Sequence, residues 1–189
     1  MKKIAPKAAL AALAIFLTFA GSAHAADKLA PTTIAVVDVQ KILQDSTAAQ
    51  GIRQQLDDKR TAFQNEIKKE EDRLRAANDD IVKNHDTMTK DQLADKQKTL
   101  RQDFATVERK VMARRHALDL GFADAMKQVR AALAEIVVNE AHAQGANVVL
   151  PKEGTMWIEA SLEITDTVLK QLNTKLPKVT VKVPAPQDK

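Results

Sequence analysis

The stretch Asn84–Gln92, NHDTMTKDQ, is the one interruption in a run of helix-forming sequence from about Asp38 to about Gln144. Thr89 stands where a helix N-cap would, with Gln92 three residues on as its capping-box partner. An apolar stripe lies on each side of it. Leu56, Arg60, Phe63, Ile67, Glu70, Leu74, Ala77 and Ile81 recur with period 3.5 before it. Leu93, Gln97, Leu100, Phe104, Val107, Val111, Arg114 and Leu118 follow with spacings that alternate between four and three. Heptad apolar spacing with flanking charge is the pattern of a coiled coil. The stretch therefore predicts a turn that folds two long helices onto each other as an antiparallel hairpin, with arms roughly 55–60 Å long at about 1.5 Å per residue.

A hairpin closing near residue 86 pairs residue i with about 172 − i. In that register Arg114 falls opposite Asp57 and Asp58, and Glu70 falls near Arg101, so the polar members of the stripes either meet opposite charges that fix register or reach sideways to water. Gly51 and Gly121 fall at one height near the arm root, where the second stripe shifts to Phe122, Ala125, Val129, Leu133, Ile136 and Glu140. Glycine inside a helix costs about 1 kcal/mol relative to alanine. The pair is either a hinge that lets the arms splay or a means of close helix packing at the phase shift.

Strand-like sequence stands only at the two ends. TIAVVDV (Thr33–Val39) is β-branched and nearly continuously apolar, with Asp38 placed to cap the helix after it. NVVLP (Asn147–Pro151) is a second strand and MWIEA (Met156–Ala160) a third, separated by the KEGT turn. LEITDTVLKQLN supplies a helix with Thr165 as N-cap and Val168, Leu169 and Leu172 on its apolar face. KLPKVTVKVPAPQDK is rich in Pro and Lys and reads as a disordered tail.

The reading is an α+β, mostly α, chain in which both ends form a small β-rich body and the middle leaves it as an arm. Residues 1–25 are a signal peptide, 26–47 and 141–176 the two parts of the body, 48–140 the coiled-coil hairpin arm with its tip at 84–92, and 177–189 the tail. A body of roughly 65–70 residues is marginal for a single core. Its short strands also have open edges. Oligomerisation through Ile34, Val36, Val37, Val148, Val149, Leu150, Trp157 and Ile158 would bury both strands and edges.

The assigned signal peptide has a lysine-bearing start, an apolar run over Ala8–Ala20, and AHA (Ala23–Ala25) as a small-x-small cleavage site. Cleavage after Ala25 exports the chain. It also removes three of the 29 basic residues, leaving 26 against 25 acidic ones. A net charge near +1 takes away the electrostatic basis for nucleic-acid binding. Without cysteine, the exported chain is held together by packing alone.

Catalysis has no foothold. There is no Gly-rich phosphate loop, no nucleophile elbow and no His-Glu-x-x-His, and His85, His116 and His142 lie far apart. The sequence predicts no catalytic residue, no cofactor and no metal. Off the stripes, Ile52, Val82, Met88 and Met112 are interleaved with Lys68, Lys69, Arg73, Arg75, Arg109, Lys110 and Arg115. Such a mixture of weak apolar and cationic contacts suits many clients without selecting one.

IAVVDVQKILQDS near the mature N-terminus, the long charged hairpin, and the closing GANVVLPKEGTMWIEASLEITDTVLKQLN resemble the Skp (OmpH-like) family of periplasmic chaperones, over Thr33–Asn173. The resemblance implies a homotrimer with a β-rich hub and three helical arms around a central cavity. It implies an ATP-independent holdase that keeps unfolded outer-membrane β-barrel proteins soluble in the periplasm and delivers them for outer-membrane assembly. Some members are assigned lipopolysaccharide contact through basic arm residues, a pattern that maps onto no particular residues here. The rival reading is a structural or adaptor coiled coil of the cell envelope with one defined partner.

Overall fold

The computed structural model describes residues 31–185. The signal peptide and its cleavage site lie outside the described residues, as do 186–189. The order is β1 (Ile34–Val37), α1 (Val39–Asp45), α2 (Thr47–Asn84), a 3-10 turn (His85–Thr87), α3 (Lys90–Ala143), β2 (Val148–Pro151), a second 3-10 turn (Ala160–Leu162) and α4 (Thr165–Lys175). Side-chain caps set the helix starts. The Asp38 carboxylate accepts the Lys41 N–H at 2.8 Å. Ser46 breaks the chain into an extended conformation and caps α2 through the Ala49 N–H. The capping box at the tip forms as expected, Thr89 and Gln92 each accepting the other's N–H at 3.2 and 3.0 Å.

α2 and α3 run in opposite directions, tied by three ion pairs: Glu66–Lys110, Arg73–Asp103 and Asp80–Lys96. In each pair the two numbers add to 176, so the register differs from the expected 172 by about one helical turn. The reason is the tip, where the 3-10 turn His85–Thr87 prolongs the first helix and centres the reversal on Met88. Arg114 consequently stacks on the Phe63 ring, 5.5 Å from its centroid, and not against Asp57 or Asp58. Glu70 bonds Arg73 on its own helix, and not Arg101.

The expected equal height of the two glycines fails with the same shift. Gly51 now faces the level of Ala125 and Gly121 that of Gln55, and both helices pass through them unbroken.

Each ladder position is seven residues from the next, so Glu66, Arg73 and Asp80 share one flank of α2, and Lys96, Asp103 and Lys110 share one of α3. Signs alternate along each helix. Sliding the hairpin by a heptad would place Glu66 against Asp103 and Arg73 against Lys96. Exposed pairs of this kind contribute little stability, but this alternation penalises the wrong register. Hydrogen bonds from Lys110 and Lys96 hold the Glu66 and Asp80 carboxyls below their usual range.

The body is a two-stranded parallel sheet, with Ile34 opposite Val148 and Val37 opposite Pro151. Parallel neighbours need a crossover connection, and here that connection is α1 together with the entire hairpin. MWIEA does not form the expected third strand. Gly154, at φ +85°, turns the chain away, and Glu163 instead makes a single bridge to the other edge of β1, with the Ile164 N–H donating to the Val36 carbonyl at 2.9 Å. Among the described residues β1 is thereby flanked on both sides, and β2 keeps an open outer edge.

α4 packs Val168 and Leu172 into the core, and its Asn173 side chain accepts the Thr47 N–H at the start of α2. Thr165 is not the N-cap of α4. Its buried hydroxyl accepts the Asp38 N–H at 2.9 Å and donates to Glu163, joining the strand end to the helix start.

The core reaches further along both long helices than the expected boundaries at 48 and 140. Ala48, Ala49, Ile52 and Leu56 of α2 join Leu118, Ala125, Met126, Val129, Leu133, Ile136 and Ala141 of α3 in one cluster with Ile42, Val168 and Leu172. Of the residues proposed for body burial, Val36 and Val37 are buried, and Ile34, Val149 and Ile158 are half-buried. Val148, Leu150 and Trp157 are exposed: Val148 and Leu150 share the uncovered face of β2, opposite that of half-buried Val149, and Trp157 lies outside the sheet.

The segment after α4 is not the free tail expected from its composition, since Val179 and Val181 are only 3% and 2% exposed. Three valines at alternate positions outweigh the neighbouring lysines there.

Lys152 Nζ donates to both carboxylate oxygens of Glu163, at 2.8 and 3.0 Å, clamping the end of β2 to the start of α4. That bond lowers the Glu163 pKa from its ordinary 4.5 and raises that of Lys152. A carboxylate depressed in the folded state contributes stability above its unfolded pKa and loses it as pH falls through the folded value. Urea midpoints of the wild type should therefore drop as pH falls below about 4.5. Glu163→Gln should lie below wild type at neutral pH and converge with it in acid. Parallel curves at all pH values would contradict the clamp.

Candidate functional site

A hairpin of two helices covers only one side of each stripe. On α2, Phe63, Leu74 and Ile81 are buried against the partner helix. On α3, Leu93, Leu100, Val107 and Val111 are only half-buried and Phe104 is exposed. The ion-pair ladder closes one flank. On the opposite flank a groove of about 520 Å³ opens between the helices, floored by Phe63, Ile67, Val111 and Leu118. Arg60, Lys68 and Arg115 rim it with Glu71 and Asp119. It is an elongated apolar floor with a mixed, mainly cationic rim.

The sequence-selected contact residues divide into three groups. Lys68, Lys69, Arg75, Arg109 and Arg115 are exposed, as are Val82 and Met112 at 67% and 68%, while Met88 is half-buried at the tip. Lys68, Arg75 and Val82 lie at heptad intervals and so share one flank. Arg73 and Lys110 are exposed or half-buried but belong to the ladder, where Asp103 and Glu66 engage them. Ile52 does not belong on this surface. It is 0% exposed and sits in the body core, because its i−4 and i+4 neighbours Ala48 and Leu56 place that face of α2 against α3.

Sequence reasoning passed over Phe104 as an exposed group, since its heptad position reads as covered. A two-stranded hairpin offers no third helix to cover it. Leu120, Phe122 and Val138 are exposed further down α3.

A second apolar surface lies on the body. Val148 and Leu150 project from alternate positions of β2, and beside them in sequence Trp157 is 78% exposed and Met156 fully so, with Leu162 also exposed. Large apolar side chains left exposed on a strand with an open edge, as Val148 and Leu150 are, mark an association surface. Among the described residues no group of His, Asp and Glu is arranged to hold a metal ion, and no helix is long and apolar enough to cross a membrane.

Fold and surfaces together define an arm-and-body protein whose long hairpin is the crossover between two strands. Residues 33–172 match the outer membrane protein (OmpH-like) family, and the chain belongs to that family. Its fold is also that of a candidate outer membrane chaperone (OmpH-like) from Caulobacter crescentus, known from a crystal structure at 2.83 Å. That relative aligns with a TM-score of 0.79 at 18% identity, over 85% of this chain and 95% of the other. No curated protein gives a significant sequence match.

Proposed function

We propose that this chain is an ATP-independent holdase of the periplasm that shields unfolded outer-membrane β-barrel proteins and delivers them for outer-membrane assembly. Three copies associate through their bodies into a homotrimer with a tentacle-like coiled-coil arm from each, and clients occupy the cavity between the arms. The observation that carries this reading is the half-covered α3 stripe beside a long groove with a cationic rim. It offers open, shallow apolar contact between the two helices of the arm, of a kind that suits many clients. Family membership and the name of the Caulobacter relative support the same role. The open edge of β2 with Leu150, together with the exposed Trp157 further along the chain, is the surface through which the copies would join. Lys68, Arg75, Val82, Met112 and Arg115 are the proposed contacts on the arm, with Met88 at its tip.

The test is dilution of a urea-unfolded porin into buffer containing the mature protein. Light scattering should fall steeply as the protein approaches stoichiometric amounts. Full aggregation in its presence would favour a scaffold with one defined partner. In the same assay, Met112→Asp together with Val82→Asp should weaken suppression while leaving the helical circular dichroism unchanged.

A further inference from the structure

The chain that follows α4 lies across the arm root, over Gln55 of α2 and Gly121 of α3. The Gln55 amide is fully used. Its Nε2 donates to the Gly51 carbonyl of its own helix at 3.0 Å and to the Val179 carbonyl at 2.8 Å, and its Oε1 accepts the Val181 N–H at 3.0 Å. Donating to one carbonyl and accepting from the N–H two residues on is how a residue in a parallel strand addresses its neighbour. One side-chain amide thus takes the place of a strand. Val179 and Val181 turn inward and are buried, Val183 is half-buried, and Lys178, Thr180 and Lys182 face outward. A Cβ built on Gly121 would stand 2.7 Å from the Lys182 carbonyl oxygen, so only glycine admits the strand at this height. Asp124 lines the same groove as Lys178 and Lys182. The family match ends at residue 172, so none of this segment falls within it.

We propose that the arm root is a receptor cleft for an extended strand with β-branched residues at every second position, and that residues 178–183 of this same chain are its resident ligand. The segment is a strap. It binds the bases of α2 and α3 to one backbone and follows α4 directly, so the root of the arm is held to the body by a contact that is not covalently closed and is open to exchange.

Hydrogen exchange on the full chain tests this. The Val181 amide should exchange slowly in the wild type and at least tenfold faster in Gln55→Ala and in Gly121→Ala, while the Leu74 amide in mid-arm is unchanged. A full-length Val179→Asp, Val181→Asp variant should bind a labelled peptide of residues 177–185, and the wild type, whose cleft is filled, should not. Tethered occupants enjoy effective concentrations of about millimolar, so the titration runs to that level. A rapidly exchanging Val181 amide in the wild type, or exchange unmoved by both substitutions, overturns the strap. Equal peptide binding by wild type and the aspartate variant, or none by an aspartate variant that keeps its helical signal, overturns the receptor cleft. Should the double variant fail to fold, peptide binding by full-length Val181→Asp alone, which alters the strap and leaves Gln55 and Gly121 of the cleft in place, decides the second point by the same criteria.

Discussion

Ile52→Ala should lower the free energy of unfolding by about 2–5 kcal/mol, the range for removing a large aliphatic side chain from a core that cannot fully collapse. Ile52 is completely buried at the level where α2 enters the body, in one cluster with Ile42, Leu56, Val129 and Leu172. Its neighbours on that face are Ala48 and Ala49, which have no longer rotamer with which to refill the space. The comparison is Met112→Ala, 68% exposed on α3, where the change should stay within about 0.5 kcal/mol. Urea unfolding followed by circular dichroism separates the two. Equal midpoints for wild type and Ile52→Ala would return Ile52 to the client surface and remove it from the core.

The second large effect concerns assembly. Leu150→Asp combined with Trp157→Asp should convert the native complex entirely to single chains, with the far-ultraviolet spectrum preserved. Both side chains are exposed within the chain, so their loss opens no cavity in it. In the proposed trimer they are covered, and a carboxylate placed there without a partner is strongly unfavourable. Native mass measurement reads the result directly. A wild-type mass of one chain, or a variant mass still three times that value, would defeat the proposed hub. Porin aggregation assays on the same variant then tell whether a single arm protects clients or whether several must enclose them.

Much of this architecture is legible in the residues because it rests on local chemistry. Thr89 and Gln92 mark a helix start by side-chain reach alone, and the heptad stripes betray two helices that need each other. What escapes is whatever depends on a count of residues through a turn or on a partner remote in sequence. A turn centred two residues later shifts every facing pair by four, which moved Arg114 from the aspartates to the Phe63 ring. Trp157 reads as core by composition, yet Gly154 steers the chain away from the sheet. Lys- and Pro-rich sequence suggests a free tail, but Val179 and Val181 find their partner in Gln55, more than a hundred residues upstream. The contact surface is the least legible part. Exposure of Phe104 follows from the number of helices around it, and a heptad pattern does not carry that number.

The pairing of β1 with β2 gives the arm a duty at the opposite end from its tip. Those two strands are separated by the whole hairpin, and closing so long a loop is entropically costly for an open chain. A zipped hairpin brings its own ends together first, and its register then determines where they arrive. A slip of one heptad would displace one helix along the other by about 10 Å at 1.5 Å per residue. That is about three residues of strand at roughly 3.3 Å each, enough to carry Val148 past Ile34 and leave the sheet unmade. The alternating charges midway along the arm are in this sense a vernier: they measure out, at a distance, the alignment of a sheet they never touch.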